Sequence, residues 1–398
     1  MTGAGMKVTF VSNYINHHQI PVSTVLFREF GEGYTFVQTE PMEEERVKMG
    51  WGADFKSLPF LKELSEDEEG IRKLISESDV VIFGGTARED LIEGRLKAGK
   101  PVIRYSERIY REGQWKWISP RGLVHKYHDH TRYSNSPVYL LCSGAYVAGD
   151  FELVKAYRGK RFRWGYFPEF EPLGVEERKS LKEKEVPEIL WVGRFLTLKH
   201  PMDALSAVCT MKEEGIPFHL TMVGGGECEE EMKAFVKEKG LEEKVAFFDF
   251  LAPKEVREKM NRADVFLFTS DFREGWGAVV NEAMSGGCAV IASHAAGAVP
   301  FLIRHKENGL IYESGNVADL TDDLRTVLTD RAYREKIGDA AYKTIADEWN
   351  PECAGKRLVN LCKAVLSGDV AFEKSGPLSE AEAVLEKKMY AHIMGENK

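Results

Sequence analysis

Short apolar, β-branched runs alternate with segments of helical pattern along most of this chain. Each run has the length of a buried strand, and many of them end in Gly, Ser or Asn. Strands that are apolar on both faces need helices on both sides, so the alternation predicts an α/β fold with parallel sheets. The predicted strands are 8–12, 34–39, 80–84, 102–105, 138–143, 162–167, 189–193, 219–224, 245–250, 265–270, 289–293 and 310–312.

The chain has 398 residues, which is too long for one ordinary core and suits two domains. The stretch 174–186 is highly charged and lacks a strand pattern, which predicts a linker. Near the end, Asn350 followed by Pro351 predicts a helix start, and Ser379 with Glu382 predicts a second one through a capping box. The predicted parts are an N-terminal domain over 6–170, a second domain over 187–350, and C-terminal helices over 351–398.

Composition is that of an ordinary globular protein, with 43% hydrophobic and 29% charged residues. No apolar run approaches the roughly 20 residues that cross a bilayer. The polar N-terminus lacks the pattern of a secretion signal. The six cysteines form no CxxC motif, which favours buried, reduced thiols. We therefore expect a cytoplasmic protein, with the inner face of the cell membrane as a peripheral location.

Charge is distributed unevenly. The net charge is −9, yet the stretch 100–163 holds thirteen Lys or Arg against five Asp or Glu. An acidic protein with one basic stretch is not a general nucleic-acid binder. That stretch fits an anionic substrate or an anionic membrane surface.

Two cations follow the first strand of the second domain. Arg194 and Lys199 lie in the turn between the strand 189–193 and the next helix. Parallel sheets bind ligands beyond the carboxyl ends of their strands, and cations beside a helix N-terminus suit a diphosphate. In the same domain, the turn at Leu251 offers backbone groups to a base edge.

Two carboxylates follow the strand 265–270. Glu274 lies before the N-terminus of a predicted helix over 278–285, and Glu282 lies about one turn inside it. A carboxylate beside a diphosphate needs hydrogen-bond donors, and the hydroxyls of a sugar or a ribose are such donors. Gly275 and Gly277 allow close approach of a ligand to the backbone and to the free N–H groups of the helix.

Together these segments resemble the family 4 retaining glycosyltransferases. The resemblance runs from Ile189 to about Trp349 and lies above all in EGWGAVVNEAMSGGCAVIAS at 274–293. The other segments occur in the family's order: GRFLTLKHP (193–201), MVGGGE (222–227), FFDFLAPKEV (247–256), ENGLIY (307–312) and DEWNPECAGKRL (347–358). The resemblance implies two Rossmann-like domains facing across a cleft, the GT-B fold, with the C-terminal helix crossing back to the first domain.

The resemblance also implies roles. Arg194 and Lys199 hold the donor diphosphate, the Leu251 backbone holds the base, and Glu282 binds the ribose hydroxyls. Glu274 binds the transferred sugar with the backbone of Gly275, Trp276 and Gly277, and the catalytic residues are Arg194, Lys199 and Glu274. No metal and no cofactor are expected, because the nucleotide sugar is a substrate and the cations do the metal's work.

The first domain departs from the family pattern. Where members carry a Gly-rich loop after the first strand, this chain has SNYINHHQIP at 12–21. Where many carry a His after the fourth strand, it has Ser106, Glu107 and Arg108. The candidates for the acceptor side are His17, His18, Glu107, Arg108 and His130.

The segment 109–133 mixes aromatic and basic residues. It fits three interpretations: contact with an anionic membrane, an acceptor pocket that stacks sugars, or a loop packed on its own domain. Its His125, His128 and His130 are ligand types, but no distant cluster matches them, so a metal site is not predicted.

The predicted function is that of a hexosyltransferase of class EC 2.4. It would move a sugar with retention from a nucleoside diphosphate sugar to a glycan or glycolipid acceptor in cell-envelope polysaccharide synthesis. A UDP-sugar is the expected donor and a GDP-sugar the alternative. Two other functions fit the same fold: a nucleotide-sugar epimerase and a non-catalytic subunit that binds a nucleotide sugar.

Overall fold

The structure, a computed structural model, describes residues 5–42 and 55–396. The chain forms two compact units. Unit 1 comprises Met1–Glu169 with Trp349–Glu386, and unit 2 comprises Phe170–Glu348 with Lys387–Lys398. The predicted first domain contains residues 43–54 and the predicted C-terminal part contains residues 397 and 398, which lie outside the described residues.

Unit 1 is a parallel sheet covered by helices. Its strand order is β3-β2-β1-β4-β5-β6-β7, so β1 lies beside β4 and the chain winds outward from them in both directions. The strands are β1 (Val8–Ser12), β2 (Tyr34–Gln38), β3 (Leu61–Glu63), β4 (Val80–Gly84), β5 (Val102–Ser106), β6 (Val138–Ser143) and β7 (Arg161–Trp164). Among the described residues, the helices up to β7 are α1 (Ile20–Phe30), α2 (Glu68–Glu77), α3 (Glu93–Lys97), α4 (Pro120–Asp129) and α5 (Ala145–Leu153).

Unit 2 repeats this plan with six strands in the order β10-β9-β8-β11-β12-β13. The strands are β8 (Glu188–Val192), β9 (His219–Val223), β10 (Val245–Phe248), β11 (Val265–Phe268), β12 (Ala289–Ser293) and β13 (Leu310–Tyr312). The helices of its continuous part are α6 (Val175–Leu181), α7 (Pro201–Glu213), α8 (Glu229–Glu238), α9 (Pro253–Arg262), α10 (Ala278–Ser285), α11 (Val299–Leu302), α12 (Val317–Thr329) and α13 (Arg331–Asp347). Its strand residues are buried on both faces in most positions, which explains why they read as continuous apolar runs.

The prediction of two parallel α/β domains is confirmed. Three details of the prediction were wrong. The short strand β3 was missed, because it has only three residues and none of them is fully buried. The charged stretch 174–186 is not a bare linker, because its first part is the helix α6, in which Arg178 is buried over the Tyr342 ring. The third wrong detail is the helix predicted from Ser379.

The C-terminal part begins as the sequence predicts. The Asn350 side chain accepts a hydrogen bond from the Cys353 N–H and starts α14 (Pro351–Ser367), which packs on α1 within unit 1. The helix predicted from Ser379 does not form. Instead the backbone of this segment pairs with β7, through Arg163 N to Ser379 O at 2.8 Å and Ala381 N to Arg161 O at 3.0 Å. This pairing satisfies backbone groups of the edge strand, which a local capping signal does not anticipate. The final helix, α15 (Met389–Ile393), belongs to unit 2.

The contact of α14 with α1 generates a stability prediction. A Cβ atom added at Gly355 would lie 2.6 Å from Val25 Cβ. In a helix, Gly→Ala ordinarily gains about 1 kcal/mol, but overpacking a tight contact costs about 1–3 kcal/mol. We expect Gly355→Ala to lower the free energy of unfolding and the urea midpoint of unit 1.

Gly94→Ala is the matched control, because Gly94 lies in the helix α3 and nothing lies within 4 Å of its added Cβ. This variant should be neutral or slightly stabilising. Equal effects of the two substitutions would contradict the tight packing of α14 on α1.

Candidate functional site

The two central strands of unit 2 define where a ligand can bind. From β8 the chain winds toward β10, and from β11 it winds in the opposite direction toward β13. Loops that leave neighbouring strands in opposite directions open a crevice at the carboxyl edge of the sheet, which is the common ligand site of such folds. The loops after β8 and β11 carry most of the residues predicted for the donor.

The loop after β8 is fixed by its neighbours. It ends in a 3₁₀ turn over Thr197–Lys199. Glu227 accepts hydrogen bonds from the Thr197 N–H at 3.0 Å and from its hydroxyl at 2.9 Å. The Lys199 carbonyl accepts a hydrogen bond from Thr269 Oγ1 at 2.6 Å. Lys199 is therefore held at a defined position beside the end of β11.

An ion pair joins the two loops. Lys199 Nζ donates to the Glu274 carboxylate, and the two side chains are only 17% and 16% exposed. Lys199 Nζ also lies 5.9 Å from the centre of the Phe268 ring. Two predicted catalytic residues that are 75 positions apart in the sequence thus meet in one partly desolvated place.

The backbone after Glu274 is placed by the loop that follows β12. The Gly297 N–H donates to the Glu274 carbonyl at 3.2 Å, and the Ala298 N–H donates to the Trp276 carbonyl at 3.0 Å. Gly277, with φ of 99°, precedes α10, and a Cβ atom there would lie 2.5 Å from the Phe268 ring. Only glycine fits this position, which brings the start of α10 against β11. Gly275 is buried beside it.

Trp276 is not available as a sugar-binding side chain. Its indole is 1% exposed, donates from Nε1 to Asn281 Oδ1 at 2.9 Å, and packs with its ring centre 6.4 Å from that of Phe301. A large apolar ring that is buried and satisfied belongs to the core. Of this predicted donor residue, only the backbone remains for contact with a ligand.

Glu282 is a carboxyl with a strongly raised pKa near these loops. It lies on α10 and is half-buried. Burial raises the pKa of its carboxyl to about 7, and the positive charge of Arg257 only partly opposes this shift. In the described part of the chain, no side chain or backbone group forms a hydrogen bond with this carboxylate. It is thus a desolvated acceptor placed beside the predicted diphosphate loops.

Arg194 and Leu251 are open to solvent or ligand. Arg194 follows β8, is exposed, and forms no ion pair with any described residue. Leu251 lies between β10 and α9, and its N–H and C=O bond to no group within residues 5–42 and 55–396. Both residues therefore lie at the carboxyl edge of the sheet. Of the predicted donor-site side chains, Lys199 and Glu274 are the two that contact each other among the described residues.

Three further residues shape this site and were not predicted. Glu227 orients the turn that carries Lys199. His200 adopts a left-handed backbone conformation before α7 and lies 3.4 Å from Asp271 Oδ2, and this contact raises the pKa of the imidazole. Asp271 also pairs with Arg273 at 2.7 Å. Their positions in the sequence could have indicated them. His200 lies in the segment 193–201, Glu227 ends the segment 222–227, and Asp271 lies three residues before Glu274.

Unit 1 has its own crevice where β1 lies beside β4. His17 and His18 follow β1, with ring centres 3.8 Å apart. His18 stacks on Tyr166, with ring centres 5.6 Å apart, and the Tyr166 hydroxyl donates to the Glu107 carboxylate. Three predicted acceptor-side residues thus gather at the carboxyl edge of this sheet, together with Tyr166, which sequence reasoning missed.

Arg108 does not join that group, which corrects its prediction as an acceptor-side residue. Its guanidinium is buried and pairs with Asp150 at 3.1 Å and with Glu386 at 2.7 Å, over the ring of Tyr146. Asp150 also accepts from the Tyr110 N–H at 3.1 Å. A buried, fully paired arginine supports the structure of unit 1 and is not exposed to a substrate.

His130 is likewise a core residue, contrary to its prediction as an acceptor-side residue. Its Nδ1 lies 3.0 Å from the Tyr157 hydroxyl, and its ring packs edge-on against Phe151 at 5.1 Å. Burial and the charge of Arg104 lower its pKa, so the imidazole is neutral. His125 and His128 are exposed on α4. Among the described residues, no three His, Cys, Asp or Glu side chains are placed to hold a metal ion.

Two Rossmann-like units in one chain define the architecture of the GT-B class. Residues 175–344 match the family model described as glycosyl transferases group 1. The resemblance to family 4 glycosyltransferases and the GT-B fold class are thereby confirmed. The enzyme class, EC 2.4, is confirmed with them.

Two relatives and one solved structure illustrate the similarity. A GDP-mannose-dependent alpha-(1-6)-phosphatidylinositol monomannoside mannosyltransferase of Mycobacterium tuberculosis is 24% identical over 320 residues, which are 74% of this chain and 78% of that protein. A 2-deoxystreptamine glucosyltransferase of Streptomyces kanamyceticus is 32% identical over 42% of this chain and 44% of its own length. The crystal structure of Anabaena HepE in complex with UDP matches with a TM-score of 0.67 at 14% identity, over 90% of this chain and 100% of that one, which shows the shared fold.

The raised pKa of Glu282 generates a prediction on stability. A carboxyl whose pKa rises on folding favours the folded state while it is protonated. Its contribution is fully present below about pH 4.5 and is lost as the pH rises through about 7. We expect Glu282→Gln to exceed the wild type in free energy of unfolding at pH 8 by up to about 3 kcal/mol, and to match it near pH 4.

The measurement is urea unfolding of both proteins across this pH range without ligand. Burial also raises the pKa of Asp323 to about 7, but Asp323 is present in both proteins and cancels in the difference. A difference that does not change with pH would show that the Glu282 carboxyl is hydrated in the folded protein.

Proposed function

We propose that this enzyme binds a nucleoside diphosphate sugar against unit 2 and transfers its hexose, with retention, to a glycan or glycolipid acceptor. The observation that carries the proposal is the convergence of Lys199, Glu274 and the start of α10 at the switch point of the unit 2 sheet, beside the unpaired Glu282. The Lys199 cation and the N-terminus of α10 suit the negative charge of the diphosphate. The oxygens of Glu274 and Glu282 can accept hydrogen bonds from the hydroxyls of the sugar and the ribose.

Arg194 and Lys199 bind the diphosphate in this proposal. Without ligand, Lys199 is paired with Glu274. A diphosphate brings negative charge to the same cation, and the Glu274 oxygens then accept hydrogen bonds from hydroxyls of the transferred sugar. When the bond between sugar and diphosphate breaks, negative charge grows on the leaving oxygen. A cation already in position stabilises that charge without reorganisation.

Glu282 binds the ribose in this proposal. A partly buried carboxylate without a hydrogen-bond donor is unfavourable, and two ribose hydroxyls would supply the missing donors. Their hydrogen bonds favour the charged form, so donor binding is expected to lower the pKa of this carboxyl. The free backbone of Leu251 is suited to the edge of the base.

Both bases remain candidates for the donor. The mycobacterial relative is named for its use of GDP-mannose, and the fold neighbour from Anabaena was solved with UDP. The mycobacterial relative is also named for phosphatidylinositol monomannoside, which is a glycolipid. This name supports a glycolipid as the acceptor class. We assign the acceptor side to His17, His18 and Glu107 in unit 1.

We further propose a cytoplasmic location and a reaction without a metal or cofactor. All six cysteines are free thiols, and four of them are buried, which fits a reducing compartment. Arg194, Lys199 and the N-terminus of α10 supply the positive charge that a metal would otherwise bring to a diphosphate. None of the helices in the described part of the chain has both the length and the apolar character to cross a membrane.

A thermal-shift panel of UDP, GDP and ADP tests donor binding. A nucleotide at about 100 times its Kd stabilises the protein that binds it by about 2.7 kcal/mol. We expect one nucleotide to raise the Tm of the wild type and to lose this effect in Lys199→Ala. Lys237→Ala is the matched control, because Lys237 is exposed on α8 in the same unit. If no nucleotide shifts the Tm of the wild type, the proposed donor class is wrong.

Substitutions in the site should also reduce the chemical step. The substrate is the sugar conjugate of the nucleotide that the panel identifies. We expect Lys199→Ala to release the nucleoside diphosphate from it about 10²–10³ times more slowly than the wild type. Glu282→Ala should lose most of the same activity. The measurement is release of the nucleoside diphosphate under single-turnover conditions, with Lys237→Ala as the control. Normal rates in folded Lys199→Ala protein would refute the assignment of the diphosphate site.

A further inference from the structure

We propose that unit 1 docks on an anionic lipid bilayer through one amphipathic face, formed by the 3₁₀ turn Gln114–Ile118 and the helix α4. We call this the 114–129 face. The inference does not depend on the proposed function, because it rests on exposure and charge in a part of the chain outside the family match.

The exposed apolar side chains of the described residues concentrate on this face. Four of the other tryptophans, at positions 164, 191, 276 and 349, are at most 3% exposed. Trp115 and Trp117 are 68% and 41% exposed. Three more large apolar side chains within the same short stretch are more than half exposed: Ile118, Val124 and Tyr127. Five large apolar side chains exposed within 13 residues of sequence are typical of an interaction site.

The helix α4 buries none of its residues in unit 1. A ten-residue helix has marginal stability in water unless an apolar face is covered. Leu123, Val124 and Tyr127 share one side of α4 by their spacing. Leu123 is partly covered, whereas Val124 and Tyr127 are 57% and 54% exposed. The exposed Val124 and Tyr127 are thus available to a partner that lies outside the described residues.

The face is nevertheless firmly attached. The Ser119 side chain accepts from the Gly122 N–H at 3.3 Å and starts α4. At the other end, His130 is buried against Tyr157, and Thr131 Oγ1 donates to the Val154 carbonyl at 2.8 Å. The core residues after α4 thus hold an exposed apolar helix in a fixed orientation on unit 1.

Charge complementarity identifies the partner as an anionic surface. The segment 109–133 holds five Lys or Arg against two Asp or Glu, while the chain as a whole carries −9. Lys116 pairs with Glu112, but Arg121 and Lys126 form no ion pair with any described residue and flank the apolar side of α4. Basic residues beside an apolar stripe with aromatic side chains are the pattern of a helix that lies in a membrane interface.

The same residues argue against an acceptor pocket for sugars. Stacking of sugar rings needs aromatic faces together with hydrogen-bonding side chains. Here Ile118 and Val124 are as exposed as the aromatic residues, but they have neither an aromatic face nor a hydrogen-bonding group. Aliphatic side chains gain free energy by entering hydrocarbon, and tryptophan rings prefer the headgroup region. Both kinds of side chain therefore fit the boundary of a bilayer.

Flotation with lipid vesicles tests the docking. The full chain is mixed, without donor or acceptor, with vesicles of phosphatidylcholine alone or with about 30% phosphatidylglycerol. We expect binding to the anionic vesicles that weakens as salt screens the surface charges. Arg121→Glu with Lys126→Glu should weaken this binding at least about tenfold, since each basic residue near such a surface contributes about fivefold. Trp115→Ser with Trp117→Ser should weaken it to a similar extent.

Matched controls use equivalent changes elsewhere. Lys237→Glu with Lys363→Glu reverses two exposed charges, and Val175→Ser with Leu366→Ser removes two exposed apolar side chains of 51% and 47% exposure. These variants should bind vesicles within about threefold of the wild type, apart from a small effect of net charge. Absence of binding to anionic vesicles, or equal losses in control and test variants, would overturn the proposal. Because no nucleotide is present, this result is separate from that of the thermal-shift panel.

Discussion

The ion pair between Lys199 and Glu274 connects two loops that the sequence separates by 75 positions. It can form only because β8 and β11 are neighbours in a parallel sheet, so that both loops leave the same edge. The turn at Thr197–Lys199, the left-handed Gly277 and the hydrogen bonds from the loop after β12 all fix the distance between these two side chains. The order of the strands therefore determines which two loops meet at this edge of the sheet.

The two units use the same edge of their sheets differently. In unit 2 the charged groups at the edge are partly exposed and close to open backbone. In unit 1, Arg108 after β5 pairs in the core with Asp150 of α5, whereas Glu107 lies at the crevice with Tyr166 and His18. Adjacent residues in the sequence, Glu107 and Arg108, thus have opposite environments, because backbone direction at the end of a strand sends successive side chains to opposite sides.

Sequence patterns predicted the buried strands well, because parallel strands are apolar on both faces and stand out as runs. Val8–Ser12, Val80–Gly84, Val138–Ser143 and Ala289–Ser293 begin and end as predicted, as does α10. What failed depends on contacts distant in sequence: the pairing of 378–381 with β7 and the core positions of Arg108 and His130. A local pattern does not show which side of an element another segment will cover. The predicted roles in donor binding stay predictions.

The path of the chain through unit 1 has a consequence for its biosynthesis. The sheet of unit 2 and the helices around it come from one continuous stretch, Phe170–Glu348, whereas unit 1 is complete only after Trp349–Glu386 has added α14 and covered the edge of β7. During translation, the sheet of unit 2 can therefore form while the first unit still exposes a strand edge and the apolar side of α1. Unpaired strand edges and uncovered apolar surface of this kind make an incompletely folded chain prone to aggregation.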